Sequence, residues 1–386
     1  MGWASIIKRR ALEAGFDLMG IAPPAALKDS EFLSQWVKKG FGGEMRYLAD
    51  PRRADPHRVL PSVKSVISVG LFYNTPHPYS TQVGGPSEGE RNSAAPIAAS
   101  REVRPRAWIS RYAWGRDYHD VLRGKLEQLR TSVEELEPGV ETRVYVDTGP
   151  ILERAYARLS GIGWMGKNTC LINERKGSWF FLGVILTNLE LELDLPAPDR
   201  CGSCTLCLQA CPTGALVEPY VMDASRCIAY FNIELKGAIP EQFRAAMGSN
   251  LFGCDICQDV CPWNSPHRAS VSSLREFQPL KLSPAPTDGP SDVASEMEPG
   301  NGKEQSLFNP SLGALTSITE EDFRWFFARS PIKRAKYRGW LRNLCVAMGN
   351  SRDPQFIPWL EAAAGNPDPL LRDHAAWALQ RLRSKK

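Results

Sequence analysis

The stretch that decides the fold is CGSCTLCLQACP, which runs from Cys201 to Pro212. Its cysteines are separated by two, two and three residues, and a Cys-Pro pair closes the run. This is the spacing of bacterial ferredoxins, in which three thiolates bind one [4Fe–4S] cluster and the fourth reaches a second cluster. The run therefore predicts a ferredoxin-like module with two clusters, and it requires a second set of cysteines.

The second set is the run Cys254-x2-Cys257-x3-Cys261-Pro262, with Cys227 upstream of it. The crossover of ferredoxin ligands predicts that the first cluster is bound by Cys201, Cys204, Cys207 and Cys261. It predicts that the second is bound by Cys211, Cys227, Cys254 and Cys257. A pair of zinc sites is the alternative, and the two Cys-Pro endings and the spacing disfavour it.

The composition is that of a globular protein of two or three domains, with 386 residues, 43% hydrophobic and 23% charged. Clustered cysteines in a long chain indicate metal rather than disulfides. No apolar run is long enough to cross a membrane. The pair Arg9-Arg10 is followed by Glu13 instead of an apolar export signal. We therefore expect a cytoplasmic protein without a membrane partner.

The pattern along the chain predicts an α+β fold in several domains. Residues 1–200 form an α/β body, with strands at 65–71, 143–146 and 179–186 and a helix at 120–136. Residues 201–282 form the inserted ferredoxin-like module, and residues 283–310, rich in Pro, Gly and Ser, a linker. Residues 82–100 look like a surface insertion. Residues 311–386 show helical periodicity and resemble a HEAT-like repeat.

The C-terminal segment is basic. Between Arg329 and Lys386 there are twelve Lys and Arg against four Asp and Glu, whereas the chain as a whole carries a net charge of only +4. Such a segment indicates a polyanionic partner. A solvated helical surface would have the same composition, so the charge pattern leaves both interpretations open.

Two short motifs in the body fail as cofactor signatures. Gly161-x-Gly163-x-x-Gly166 has the letters of a dinucleotide fingerprint, but the preceding residues 154–159 look helical, and the fingerprint must follow a strand. Asp55-x-His57 is a fragment of the motif that binds cobalamin through histidine. The glycine of that motif is replaced by Leu60, so binding with a histidine on cobalt is not expected.

Asp147 is the candidate acid of the body. It follows the predicted strand at 143–146 and precedes a Gly-Pro turn, which places its carboxylate at the end of a buried strand. Burial would raise its pKa and suit it to donate a proton. The alternative is an N-cap for a helix that begins near Ile151.

Four further runs carry a resemblance that covers nearly the whole chain: SRYAWGRDYH at 110–119, VDTGP at 146–150, GIGWMGKN at 161–168, and GCDICQ at 253–258 continuing to CPWN at 261–264. Together with the ferredoxin runs, they resemble the epoxyqueuosine reductases. The catalytic body of that family is similar to that of reductive dehalogenases.

The resemblance implies a cofactor and a reaction. The family binds cobalamin base-off, with no protein histidine on cobalt, and reduces the epoxide of epoxyqueuosine at the tRNA wobble position to queuosine. Electrons reach cobalt through the two [4Fe–4S] clusters, and the proton donor of the family matches Asp147. The positions that match residues near the corrin are Arg53, Ser110, Asp147, Arg154, Lys167, Asn168 and Asp255.

The resemblance also gives the basic segment a partner. We expect tRNA phosphates to contact Lys333, Arg334, Lys336, Arg338 and Arg342. The family implies the tRNA isoacceptors for Tyr, His, Asn and Asp, together with an external electron donor. One chain holds every part that the reaction needs, so a monomer is expected.

Two other functions stay open at this point. The first is a cobalamin-dependent reductive dehalogenase of small molecules, a class that is usually exported and lacks a basic helical tail. The second is a non-catalytic ferredoxin-type electron carrier, which would leave the body and Asp147 without a role. A cobalamin absorbance spectrum would separate the carrier from both enzymes.

Overall fold

The computed structural model describes residues 2–83, 105–282 and 305–384. Its helices α1 to α13 are Trp3–Glu13, Lys28–Lys38, Ser80–Val83, Tyr118–Glu134, Glu153–Leu159, Leu206–Ala210, Glu241–Arg244, Ile256–Asp259, Leu312–Leu315, Glu320–Phe326, Lys336–Ser351, Ile357–Ala364 and Pro369–Arg383. Its strands β1 to β10 are Leu18–Ala22, Ser65–Phe72, Trp108–Ile109, Thr142–Tyr145, Trp164–Met165, Leu171–Ile172, Phe180–Thr187, Leu216–Glu218, Val221–Met222 and Asn250–Phe252. This mixture of helices and strands confirms the expected α+β class.

The chain forms two compact units, each built from separate segments. Unit 1 comprises Met1–Thr75, Asp117–Ser225 and Val260–Glu276. Unit 2 comprises Pro76–Arg116, Arg226–Asp259 and Phe277–Lys386. Residues 201–282, expected to be one module, are therefore divided between the two units. The functional domains predicted from the sequence stay predictions.

Unit 1 is organised around a four-stranded antiparallel sheet of order β1-β2-β7-β4. Every residue of β2 is buried, because this central strand has a partner on each side and a residue run rich in Val, Ile and Leu. The strands expected at 65–71, 143–146 and 179–186 are confirmed as β2, β4 and β7. Their pairing is antiparallel throughout, so the body lacks the alternating parallel arrangement of an α/β protein.

Helix α4 packs on this sheet through Leu122, Leu126, Leu129 and Val133, which are all buried. It begins two residues before the helix expected at 120–136. The reason is its N-cap: the Asp117 side chain accepts a hydrogen bond from the His119 amide at 3.1 Å. Helix α5 ends just before Gly161, which confirms that a helix precedes the glycine motif.

Unit 2 is organised around α11, a helix with ten buried residues that packs on α13. Its core includes Trp340, Leu344 and Cys345, all with no exposed surface. Cys345 is thus a buried thiol within this core. Asn343 donates to the carbonyls of Asn232 and Leu251, both at 2.9 Å, so α11 braces the segment at Asn232 and the strand β10. Three helices at the C-terminus are observed, and their description as a HEAT-like repeat stays a prediction.

Parts of the sequence-based description need correction or lie outside the described residues. Leu307 has no exposed surface and packs in the core of unit 2, so the linker expected at 283–310 does not extend to its predicted end. Residues 283–304, and residues 84–100 of the expected insertion, lie outside the described ranges. Among the residues that the structure describes, no helix combines the length and apolarity needed to cross a bilayer.

Candidate active site and cluster-binding cavity

Asp147 lies just beyond the end of β4, on the loop that leads to α5. Its side chain is 62% exposed. Its φ of 57° is in the left-handed region, which side chains other than glycine rarely adopt. The loop is held in this shape by Glu153, whose Oε1 accepts a hydrogen bond from the Asp147 amide at 2.7 Å. Helix α5 has Leu152 at its N-cap without a side-chain hydrogen bond, so the structure rejects the N-cap alternative for Asp147.

Two side chains at the start of α4 contact the Asp147 carboxylate. The hydroxyl of Tyr118 donates to Oδ2 at 2.7 Å. The Nε2 atom of His119 lies 3.4 Å from the same oxygen. Because both groups approach one oxygen, Asp147 presents an exposed carboxylate that is surrounded by proton-bearing groups.

A second carboxylate holds the other side of the imidazole. Oδ1 of the buried Asp117 lies 2.7 Å from His119 Nδ1. The Tyr118 ring stacks on the His119 ring at a centroid distance of 4.1 Å and on Phe181 of β7 at 4.3 Å. The imidazole is therefore fixed in both orientation and position, with one carboxylate at each nitrogen.

The pKa values in this group are shifted in opposite directions. Desolvation raises the pKa of Asp147, but the nearby His119 imidazole and the hydrogen bond from Tyr118 outweigh it, so the pKa lies below its ordinary value. Desolvation lowers the pKa of His119, and the contacts with Asp117 and Asp147 outweigh it and raise the pKa to about 9. Burial, and then the charge of Asp147, raises the pKa of Glu153 to about 8.

These shifts correct the expectation for Asp147. The sequence suggested a buried acid with a raised pKa, whereas the structure shows an exposed carboxylate with a lowered one. At neutral pH the proton of the pair therefore resides on His119, and Asp147 is ionised.

Two arginines expected near the cofactor lie beside this group. The positive charge of Arg154 acts on Asp147, and that of Arg53 acts on Glu153. Arg53 also donates to the carbonyl of Ile151 at 3.3 Å. An exposed carboxylate flanked by guanidinium groups suits the amide and phosphate periphery of a cobalamin.

The four cysteines expected to bind the first cluster line one cavity in unit 1. Its volume is about 430 Å³ including its open mouth, and its lining contains Cys201, Cys204, Cys207 and Cys261. Burial, and then the neighbouring sulfurs of Cys170, Cys201 and Cys207, raise the pKa of the Cys261 thiol to about 11. Crowded sulfurs of this kind need a cationic group to ionise together, and an iron–sulfur cluster supplies one.

The indole of Trp164 contributes to this cavity by donating to the sulfur of Cys201 at 3.5 Å, a contact that favours the thiolate. Over the described ranges, no three His, Cys, Asp or Glu side chains are arranged to hold a single metal ion. A four-iron cluster spaces its ligands more widely than one ion does. The cavity therefore fits a cluster, and the ligand assignment stays a prediction.

Lys167 and Asn168 were expected at the corrin, but both line this cysteine cavity. The Lys167 ammonium donates to the carbonyls of Gly202 at 2.6 Å and Cys204 at 2.9 Å. The Asn168 side chain accepts from the Cys170 amide at 3.2 Å. In this structure Lys167 braces the cluster-binding loop, and Asn168 holds the turn before Cys170.

The cysteines expected to bind the second cluster are divided between the units. Cys211 belongs to unit 1, and Cys227, Cys254 and Cys257 belong to unit 2. Burial raises the pKa of Cys211, but hydrogen bonds from Thr213 and from backbone amides outweigh it and lower the pKa. One of these donors is the Ala215 amide, 3.3 Å from the sulfur. These contacts shift Cys211 toward its thiolate form, and the pairing of the four stays a prediction.

Ser110 and Asp255, also expected at the corrin, are buried within unit 2 and bond to each other at 2.5 Å. Asp255 is 1% exposed, and its second oxygen accepts from the Trp108 indole and the Arg111 amide. Neither residue lines an open surface. In this structure Asp255 holds the segment 108–111, and the cofactor contact of both residues stays a prediction.

The basic residues expected to contact tRNA differ in their surroundings. Lys333, Arg334, Lys336 and Arg338 are exposed. Arg334 forms an ion pair with Glu234 at 2.8 Å, and Arg338 one with Asp368 at 2.5 Å. The prediction for Arg342 is wrong. This side chain is 1% exposed, and its guanidinium donates to the carbonyls of Phe231, Leu235 and Gly237.

Sequence reasoning did not assign roles to Asp117, Tyr118, His119 or Glu153. The first three lie within the quoted run 110–119, but nothing in the sequence connects that run to Asp147. The sequence did contain a signal for two of these residues, because Asp117-x-His119 repeats the Asp-x-His spacing of residues 55–57.

The chain matches two family models: "4Fe-4S double cluster binding domain" over residues 200–264 and "Epoxyqueuosine reductase QueG, DUF1730" over residues 53–148. It is 38% identical to the epoxyqueuosine reductase of Pseudomonas aeruginosa, over 98% of this chain and 94% of the relative. It is 36% identical to that of Escherichia coli, over 97% of this chain and 88% of the relative.

Two solved structures have a similar fold. One is an epoxyqueuosine reductase with an epoxyqueuosine-modified tRNA-Tyr stem loop, at a TM-score of 0.79 and 30% identity over 98% of this chain and 90% of that one. The other is the Bacillus subtilis epoxyqueuosine reductase, at 0.76 and 29% with the same coverage. In the latter, a catalytic loop identified by an aspartate is swung out of the active site.

Proposed function

Because the chain belongs to the epoxyqueuosine reductase family of oxidoreductases, we propose that it reduces the epoxide of epoxyqueuosine in tRNA to the alkene of queuosine, with Asp147 as the proton donor. The observation that carries the assignment of Asp147 is its exposed carboxylate beyond β4, held by Tyr118 and by the Glu153 contact to its amide. The similar Bacillus subtilis enzyme has a catalytic loop identified by an aspartate, which supports a loop aspartate in this role.

The reaction consumes two electrons and two protons, and the epoxide oxygen leaves as water. An external donor supplies the electrons. The oxygen is a poor leaving group as an alkoxide, so an acid must reach it. Asp147 offers its Oδ2, the oxygen to which Tyr118 donates and which faces His119. The Tyr118 hydroxyl orients this oxygen, and Glu153 keeps the loop in its left-handed conformation.

The proposed cofactors are two [4Fe–4S] clusters and base-off cobalamin. Cobalamin, when bound, supplies the low-valent cobalt that reduces the epoxide carbon. Arg53 and Arg154 are the residues of this chain that we assign to its periphery, since their charges lie beside Glu153 and Asp147. We assign the first cluster to the cavity lined by Cys201, Cys204, Cys207 and Cys261, and the second to Cys211, Cys227, Cys254 and Cys257.

We further propose that tRNA meets the exposed basic residues Lys333, Arg334, Lys336 and Arg338. The similar structure with a tRNA-Tyr stem loop supports a tRNA partner. The proposal extends to the isoacceptors for Tyr, His, Asn and Asp, to a monomer, and to the cytoplasm, where tRNA is modified.

A single-turnover assay tests this function. The protein is reconstituted anaerobically with iron, sulfide and cobalamin, then mixed with a chemical reductant and tRNA bearing epoxyqueuosine, and the nucleosides are weighed. We expect the wild type to remove one oxygen. We expect Asp147→Asn to react at least about 10²-fold more slowly, because it cannot pass on a proton.

The control for this assay is the loading of the variant. Asp147→Asn must bind cobalamin and clusters as the wild type does, which the absorbance spectra measure. If Asp147→Asn converts the substrate as fast as the wild type does, Asp147 is not the proton donor. Absence of wild-type conversion with full cofactors would refute the proposed function.

A further inference from the structure

An ionised Asp147 must receive a proton before each transfer, and His119 is placed to provide it. His119 Nε2 is buried and has no hydrogen-bond partner among the described residues, and the Asp147 oxygen 3.4 Å away faces it. A buried polar atom without a partner needs an explanation, since leaving it so costs free energy. A small movement of the Asp147 loop would shorten this gap to a hydrogen bond.

We propose that His119 is the proton source for Asp147 and that Asp117 is the positioning residue that aims the imidazole at it. This inference rests on the proposed function. It assigns a specific origin to the proton that Asp147 delivers to the epoxide oxygen.

The geometry at the second nitrogen supports the role of Asp117. Its Oδ1 lies 2.7 Å from His119 Nδ1 and also accepts from the His119 amide at 3.1 Å. A carboxylate at Nδ1 keeps the proton there and leaves Nε2 to exchange its own. The stack of the His119 and Tyr118 rings on Phe181 prevents the imidazole from rotating away.

The surrounding charges favour a proton on His119 at rest. The groups that face it are the carboxylates of Asp117 and Asp147 and the stacked ring of Tyr118. Around Asp147 lie the guanidinium of Arg154 and the carboxyl of Glu153, which Arg53 in turn faces. With carboxylates at both nitrogens, the imidazolium is the stable form at neutral pH.

The transfer balances in two steps. The Nε2–H bond of His119 breaks and an O–H bond forms at Asp147 Oδ2, so the ion pair becomes a neutral pair. The O–H bond of Asp147 then breaks as the epoxide oxygen takes the proton, which restores the carboxylate. The epoxide oxygen becomes far more basic than either side chain as its C–O bond breaks, so the overall transfer is downhill. Water returns a proton to His119, and no electrons move in these steps.

The first test measures the imidazole itself and needs no cofactor. Histidine rings labelled with ¹⁵N are titrated by NMR in the full chain, which has five histidines, and His119→Gln identifies the signal. We expect His119 to lose its proton near pH 9 in the wild type and at a lower pH in Asp117→Asn. Titration near the ordinary value of 6.5 in the wild type, or an unchanged value in Asp117→Asn, would overturn the proposal.

The second test is the pH profile of the single-turnover rate. We expect the wild-type rate to fall above about pH 9, and His119→Gln to be about 10²-fold slower at neutral pH and to lack that fall. Asp117→Asn keeps an N-cap for α4, so it should fold, and its profile should shift to lower pH. His57→Gln is the matched control, because His57 has the same Asp-x-His contact at 2.7 Å and is expected to react at the wild-type rate.

The outcomes separate the two proposals. If the wild type converts its substrate and His119→Gln matches it in rate and profile, His119 is not the proton source while the proposed function stands. If the wild type does not convert its substrate, the proposed function is refuted, and the proposal that His119 is the proton source is refuted with it.

Discussion

The two Asp-x-His pairs of this chain have the same local structure and different surroundings. Asp55 caps a 3-10 turn and Asp117 caps α4. In each pair one carboxylate oxygen accepts from the histidine amide, at 2.9 and 3.1 Å, and contacts Nδ1 at 2.7 Å. The difference lies at Nε2, where His119 meets Asp147.

This difference shows which part of a histidine's chemistry is local. An N-capping aspartate two residues before a histidine suffices to hold the Nδ1 atom of that histidine, and this occurs twice in the described part of the protein. The second carboxylate comes from a loop 28 residues away in the sequence. It makes His119 part of a charged group, whereas the His57 side chain is 47% exposed to solvent. Only one of the two motifs is therefore equipped to pass a proton to another side chain.

Removing the carboxylate of Asp147 should have the largest effect on the difference between the two Asp-x-His pairs. In Asp147→Asn, His119 keeps only Asp117, and we expect its pKa to fall by about one unit or more from about 9. The measurement is the NMR titration of the labelled imidazole. A value that stays near 9 would mean that Asp147 contributes little to the charge of His119.

Substitution of Glu153, whose carboxyl holds the Asp147 loop, should have an intermediate effect. The quantity affected is the free energy of unfolding. The pKa of Glu153 is raised from 4.5 to about 8 in the folded chain. The folded state thus binds more protons between these values, and stability is lost as the pH rises through that window. Glu153→Gln removes the loss, so we expect it to be more stable than the wild type at pH 9, by ~2 kcal/mol.

Chemical denaturation at pH 4 and pH 9 measures this effect, and the two proteins should be nearly equal at pH 4, where the carboxyl of Glu153 is neutral. Equal stability at pH 9 would show that the carboxyl of Glu153 is solvated. His119 supplies a second check, in the same direction. Its pKa is also raised, so the stability it adds is complete below about pH 6.5 and is lost as the pH rises through about 9.

The smallest effect is expected from a substitution in the exposed pair of Asp55 and His57. Asp55→Ala removes the cap of a 3-10 turn and its contact with His57, and we expect a loss of ~0.5–1 kcal/mol in the free energy of unfolding. The single-turnover rate should not change. A loss of rate as large as that of His119→Gln would give the two motifs equivalent roles and remove the distinction drawn between them.

Much of the site could be predicted from residue spacing. The two cysteine runs together implied the ligand set of the first cluster, Cys201, Cys204, Cys207 and Cys261, and the structure brings that set to one cavity. The position of Asp147 after a strand was also predictable, because hydrophobic patterning locates β4. Its charge state was not predictable, since it depends on Tyr118 and His119, which belong to another element.

The basic residues show the same limit. Arg342 and Arg338 lie four residues apart in α11 and are alike in the sequence. Arg338 is exposed, whereas Arg342 is buried and donates to three backbone carbonyls. A charged side chain can be buried only where its donors are satisfied. Which arginine meets that condition depends on where the segment 231–237 lies.

The sequence by itself determined the family resemblance, the strands of the central sheet, the cluster-ligand candidates and the position of Asp147, because spacing and periodicity are local properties of the chain. Only the tertiary structure decided that Asp147 is an ionised carboxylate beside a charged His119, that Lys167 braces the cluster loop, and that Arg342 and Asp255 are buried. Protonation, burial and hydrogen-bond partners depend on neighbours that are distant in the sequence, so folding alone brings them together.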